Sequence, residues 1–357
     1  MRDDKGAIRA RALALIETDG HRVGARLAQA AEVSRQVANG YLQSMVRDGL
    51  VSAEGTTRAR VYALRALEQA SRNYPREGLQ EDVVWRELVA PVVAACPDNV
   101  RNIWHYAATE MINNAIDHSG AAEVTVEVCR NALWTELQVI DAGEGIFLKI
   151  QRALGLLDAR ESILELAKGK LTTAPSHHSG EGIFFTLRAV DVFEIESHQL
   201  RFSHRPREAD AIFEQPQDTP GTRVHMRLAN DSPRLMREII DAYTDSEEHT
   251  FDRTVVPMRL AQYEGEQLVS RSQAKRVANR FERFKRVELD FSGIHDIGQA
   301  FADELFRVFA NAHPGIVITP MHTEPAVASM IRRAVAAREA QAATPPDTEG
   351  YTTAAAG

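Results

Sequence analysis

Four short segments carry side chains of the types and spacings that can hold a nucleotide. The first is Glu110-x-x-x-Asn114, one helical turn apart. A carboxylate at 110 can orient or deprotonate a water or hydroxyl. The side-chain oxygen at 114 can coordinate Mg2+, a hard cation that takes oxygen ligands. The second is Asp141-x-Gly143-x-Gly145, after a strand-like run. Its carboxylate can accept a hydrogen bond from an adenine amino group, and its glycines let the backbone approach a ligand closely. The third, Gly180-x-Gly182, stands just before a helical pattern, where free N–H groups and the helix dipole favour phosphate. The fourth is the pair Gly221-Thr222, ahead of another strand. Taken singly, each fits a polar helix edge or a plain tight turn. Taken in order, they suit a nucleotide held with Mg2+.

The elements that must position them are readable. Val100, Ile103, Trp104, Ala107, Met111 and Ala115 recur at helical spacing, which predicts a helix ended by Gly120 in the C′ role. At about 100° per residue, Glu110 and Asn114 stack beside that apolar face, with Asn113 and Asp117 in the next row. Polar groups at the edge of a buried stripe cost free energy unless something satisfies them. Strand-like runs follow at 122–130, where Val124, Val126 and Val128 alternate, and at 133–141. A helical and loop region reaches about residue 179; then come a helix and two more strands, at 192–197 and 222–228.

A chain of 357 residues, 44% hydrophobic and 26% charged, is expected to form two or three soluble globular domains. No apolar run approaches the roughly 20 residues that span a bilayer, so no membrane contact is expected. "MRDDKGAIRA" has no apolar signal core, and the reducing cytoplasm is the expected compartment. Cys96 and Cys129 read as small buried hydrophobes. The histidines show no metal-ligand spacing, so no zinc site is expected.

Charge is uneven. Residues 1–70 hold eleven Lys and Arg against eight Asp and Glu, a net of +3; the whole chain carries −8, which leaves −11 for the remainder. The first segment reads helix, helix, helix, hairpin, with Ser34 as N-cap of the third helix. This looks like a winged helix-turn-helix over residues 1–67. Arg35, Gln36 and Asn39, at the start of the third helix, would face base edges of DNA, and Arg58 and Arg60 on the wing would reach phosphates. A helical protein-interaction module with surface arginines is the plainer alternative. Residues 68–94 read as a charged linker, "EQASRNYPREGLQED", and an amphipathic helix interrupted at Pro91.

The four nucleotide segments together resemble the ATPase superfamily of gyrase, Hsp90, MutL and the sensor histidine kinases. Glu110 and Asn114 match its N-box, Asp141, Gly143 and Gly145 its G1-box, and Gly180 and Gly182 its G2-box; Thr222 matches a late threonine that supports the adenine site. The resemblance implies a Bergerat-fold ATPase domain over 95–232: an α/β sandwich with a mixed sheet, helices on one side, and ATP held beneath a lid at about 147–179. His177 and His178 fall in that lid, where they either touch phosphate or are simply solvated. Asp117 stands where sensor kinases often have Lys, which tilts toward hydrolysis. Members of that superfamily often dimerise, so a homodimer is a further expectation.

"VELDFSGIHDIGQAFADELFRVF" resembles the STAS fold of anti-anti-sigma factors. Asp290, Ser292 and Gly293 fit the strand end. Gly298 and Gln299 stand where the resemblance would have Asp and a phosphorylatable Ser. A STAS-like domain is expected over 240–335, with a protein partner, and a disordered tail over 336–357. The combination looks like a family of bacterial regulators. The implied fold class is multidomain α/β. The implied function is an ATP-binding, DNA-associated regulator in which Mg-ATP controls the winged helix and the STAS-like domain. The alternatives are a serine/threonine protein kinase of the anti-sigma type and an ATP-binding pseudoenzyme.

Overall fold

The computed structural model describes residues 3–56, 59–171, 180–245, 250–262 and 266–343. The chain divides into two compact α/β units, Met1–Ala242 and Tyr243–Gly357. No helix among the described residues is long and apolar enough to cross a membrane.

The first unit opens with α1 (Asp3–Thr18), α2 (Val23–Ala30) and α3 (Arg35–Arg47), then strands β1 (Val51–Glu54) and β2 (Val61–Leu64). The strands form an antiparallel hairpin, Val51 opposite Leu64 and Glu54 opposite Val61. The Ser34 hydroxyl accepts the Val37 N–H at 3.2 Å, so the N-cap expected from sequence is in place. Ile8, Ala12, Ile16, Leu27, Leu42, Met45 and Tyr62 bury the faces where these elements meet.

β3 (Glu68–Pro75) comes next, then a helical run of α4 (Glu81–Val84), a π segment (Trp85–Val89) and α5 (Ala90–Val93), and then α6 (Asp98–His118). Two expectations are corrected here. Residues 68–75 are not linker: they pair antiparallel with 123–130 as an edge strand. Only Tyr74 of this strand is buried, so it lacks the alternation that announces a half-buried strand, and Pro75 sits at its end, where an edge tolerates it. The helix is also not interrupted at Pro91. A proline ring clashes with the carbonyl four residues earlier, at Glu87, and the widened π turn that contains Glu87 relieves that clash.

The remaining elements of this unit are β4 (Glu123–Arg130), β5 (Trp134–Asp141), α7 (Ile146–Leu154), α8 (Glu161–Lys168), α9 (Gly182–Ala189), β6 (Val192–His204), β7 (Ala211–Ala229) and α10 (Met236–Asp241). The sheet order is β3-β4-β5-β7-β6. All four neighbouring pairs are antiparallel, which corrects the expected mixed sheet. Hairpins join β4 to β5 and β6 to β7, and the helical excursion from α7 to α9 returns the chain at the outer edge beside β7. On one face, Val124, Val126, Leu137, Val139, Phe193, Ile195, Val224 and Met226 are buried, as is the apolar stripe of α6 read from sequence. The α6 helix ends at Ser119, and Gly120 follows with φ +68°, the C′ role expected for it. Leu133, between β4 and β5, packs on the core of the three-helix segment. Glu17 of α1 accepts the Trp134 Nε1–H at 2.9 Å and pairs with Arg227.

The other face of the sheet is polar. Cys129 lies there half-buried, not buried as expected, because its place in the β4 alternation is the outward one. His225 stands 3.7 Å from both Glu136 and Glu194, and these two carboxylates push its pKa up to about 9. Such a raised pKa contributes stability that is complete below about 6.5 and is lost as pH rises through about 9. His225→Gln is therefore expected to flatten the alkaline limb of a denaturation-midpoint profile by about 1–2 kcal/mol, after allowance for solvent screening. An unchanged limb would show that the pair carries no stability.

In the second unit, β8 (Arg253–Pro257), α11 (Arg271–Ala278), β9 (Arg286–Asp290), α12 (Gln299–Asp303), α13 (Ala310–Ala312), β10 (Val317–Met321) and α14 (Pro325–Ala343) follow one another. A π segment, Glu304–Phe309, joins α12 to α13. The three strands are parallel in the order β10-β9-β8 around Val256, Val287, Leu289, Phe301, Leu305 and Val327. Ser270 and Gln273 form a reciprocal capping box at the start of α11. Helix α14 runs on to Ala343, which corrects a tail beginning at 336. Ala, Arg, Glu and Gln there are strong helix formers even without apolar periodicity.

Candidate functional site

The buried face of β5 reads Thr135, Leu137, Val139 and then, at its carboxyl end, Asp141. An apolar stripe thus finishes in a carboxylate, opposite Thr222 on β7. Asp141 is only 7% exposed. Burial raises its carboxyl above the usual range, against the pull of the Gly143 and Thr222 backbone N–H groups and the Lys149 ammonium. Its Oδ1 accepts the Gly143 N–H at 2.9 Å.

This end of the sheet opens into a cavity of about 350 Å3. Glu110, Asn114, Asp141, Gly145, Gly180, Gly182 and Thr222 all line it, so seven of the residues chosen from sequence meet at one place. Gly143 does not line it. A Cβ at 143 would stand 1.9 Å from the Ser119 carbonyl oxygen, so this glycine lets the turn after β5 lie against the end of α6. Thr222 Oγ1 accepts the Ile146 N–H at 3.0 Å and so fixes the start of α7. Met111, Val139, Ile150, Ile183 and Val224 supply apolar wall.

Glu110 is half-buried at the opposite end. Its Oε2 lies 2.0 Å from where a Cβ of Gly182 would be, so a side chain at the first position of α9 would make the carboxylate shift. Tyr106, one turn before Glu110, has its phenol pushed up by burial and then by the Glu110 and Glu181 carboxylates. From Glu110 to Ser119 the cavity follows roughly 13 Å of α6, at about 1.5 Å per residue.

Lys149, His118 and Ser119 also line the cavity and had no sequence signal. Lys149 Nζ donates to the His118 carbonyl at 2.6 Å, so it ties α7 to the last turn of α6. The expected lid includes α7 and α8, whose Lys168 and Glu165 form a buried pair at 2.7 Å. His177 and His178 lie outside the described residues.

Of the residues assigned to DNA, Arg35, Gln36, Asn39 and Arg60 do not line the cavity. Arg35, Gln36 and Asn39 are exposed on the first turns of α3. The Asn39 amide oxygen leans on Gly24 of α2, 2.5 Å from the position of an added Cβ. Arg60 is half-buried beside the hairpin, and Arg58 lies outside the described residues.

In the second unit, Asp290 closes β9 and its Oδ1 accepts the Ser292 N–H at 3.0 Å and the Ser292 hydroxyl at 2.7 Å, with His322 Nδ1 at 2.9 Å. Burial alone would raise this carboxyl, but Ser292 and His322 outweigh it and hold it below its ordinary value. Gly298 caps α12 and Gln299 opens it. Residues 273–328 match the STAS-like domain of unknown function (DUF4325). The C-terminal unit therefore contains a STAS-like domain, and β9, α12, α13 and β10 lie within the matched residues. No curated protein matches the chain.

Proposed function

We propose that residues 95–232 form a Bergerat-fold ATPase domain that binds Mg-ATP, and that binding or hydrolysis there controls an N-terminal winged helix and the STAS-like domain. One observation carries this reading: four segments far apart in sequence meet on a single cavity, with a buried carboxylate among apolar walls at one end and glycines at a helix start at the other. The donor set suits the group. Among the described residues no three His, Cys, Asp or Glu gather as a metal cage, and Asn114 offers one oxygen, as fits magnesium held mainly by phosphates and water.

Mg-ATP supplies the phosphoanhydride bond to be cleaved. The chain's residues bind and orient it. Asp141 accepts from the adenine amino group, and Thr222 keeps the start of α7 in register with that base site. The first N–H groups of α9 face the phosphates. Glu110 holds the water or hydroxyl and takes its proton.

Asp141→Asn keeps an acceptor for the Gly143 N–H but loses the charge and one acceptor oxygen. It is expected to weaken ATP binding about 10- to 100-fold, the worth of a charge-assisted hydrogen bond of about 1.5–3 kcal/mol. Because burial raises the Asp141 pKa, ionising it opposes folding above the usual carboxylate range. The amide variant should therefore be no less stable. Reduced affinity together with reduced stability would mean that Asp141 serves the fold instead.

Incubation with γ-labelled Mg-ATP tests the activity: release of free phosphate supports hydrolysis. A STAS-like domain in the same chain favours a second reading, phosphoryl transfer to a protein, which stoichiometric labelling of protein would support in place of hydrolysis.

A further inference from the structure

A basic concavity of the N-terminal segment lies between the α1–α2 turn and the start of α3. It is a cleft of about 640 Å3 lined by Asp19, His21, Arg22, Arg26, Gln29 and Arg35 among others. Arg26 is committed within the fold: Nη1 donates to the Asp19 carbonyl at 2.7 Å and stands 3.6 Å from its carboxylate. The same carboxylate accepts the His21 N–H at 2.9 Å. Asp19 is thus already shared. Arg22 and Arg35 are exposed, and no acidic side chain among the described residues pairs with either. Neither α2 nor α3 places an acidic residue in its first turn, which leaves the cleft with a surplus of two positive charges.

Two unpaired guanidiniums across one groove match a polyanion: each offers a planar fork of donors suited to phosphate oxygens. We propose that the cleft seats the phosphodiester backbone of duplex DNA, with Arg22 and Arg35 as the two phosphate contacts, so that Arg35 positions the duplex and does not read a base. This rests on the DNA-binding reading of the N-terminal segment. Sequence reading is left to Gln36, which lies outside the cleft.

The test is the salt dependence of binding of the full chain to short duplexes of several sequences. Each phosphate contact contributes roughly 0.9 to the slope of log affinity against log salt. Arg22→Gln and Arg35→Gln should each flatten that slope by about one contact and weaken every duplex equally, whereas Arg35→Lys, which keeps the charge, should restore the slope. Gln36→Ala should leave the slope intact. If wild-type binds DNA but both glutamine variants keep its slope, or if Arg35→Gln changes the ranking of sequences, the cleft assignment is wrong while DNA binding stands. If wild-type binds no duplex at any salt concentration, the DNA-binding reading falls and the cleft assignment with it.

Discussion

Glu110→Gln is expected to stop ATP turnover almost completely while leaving Mg-ATP affinity unchanged. The two side chains have the same shape, so the packing of position 110 against Gly182 survives. What is lost is the acceptor for a proton. A positioned general base contributes roughly 100- to 10,000-fold, so turnover should fall by that factor. Phosphate release under saturating nucleotide, alongside a binding titration, checks both halves. Turnover within a few-fold of wild-type would remove Glu110 from the chemistry, and loss of binding would make it a ligand of the nucleotide. The neighbouring Tyr106 phenol lies close to both Glu110 and Glu181, so a deprotonated tyrosine plays no part near neutral pH.

Gly221→Ala should damage the fold itself. Gly221 has φ +76°, and a Cβ there would meet the Asp141 carbonyl oxygen at 2.0 Å and the Ala142 Cα at 2.7 Å. Both obstacles are backbone, so no side-chain rotation relieves them. Left-handed strain of about 1–2 kcal/mol and overpacking of about 1–3 kcal/mol together suggest a loss of roughly 2–5 kcal/mol. The clash lies where β7 passes the end of β5, between Asp141 and Thr222, so the base end of the cavity should open before the rest unfolds. Chemical denaturation and nucleotide affinity should fall together. A variant with wild-type stability would mean that the backbone here is softer than its geometry implies.

Much of the site was legible because its residues break local rules. Asp141 ends an apolar alternation, and Glu110 and Asn114 border an apolar helix stripe. The glycines at 143, 180 and 182 stand at element boundaries, where a side chain would block a close approach. Features that depend on register across strands were not legible. The His225 pair with Glu136 and Glu194 joins β5, β6 and β7, and no single segment reveals it. Lys149 reaches the cavity through the turn that Gly145 and Thr222 set, and its own neighbours in sequence give no sign of this. β3 escaped because an edge strand with one buried side chain carries almost no periodicity. The end of α14 escaped because alanine-rich helix and unstructured tail share a composition, and only propensity separates them. In the STAS-like domain, the strand end Asp290-x-Ser292 was visible, but the contact of His322 with it comes from the residue just past the neighbouring strand β10.

The most direct measurement is a crystal structure of the full chain grown with magnesium and a non-hydrolysable ATP analogue. The adenine amino group should lie within hydrogen-bond distance of Asp141, the metal should sit on the Asn114 side-chain oxygen, and the phosphates should face the first turn of α9. A cavity that stays empty with the analogue at saturating concentration, or one that holds the nucleotide with its base away from Asp141, would contradict the account.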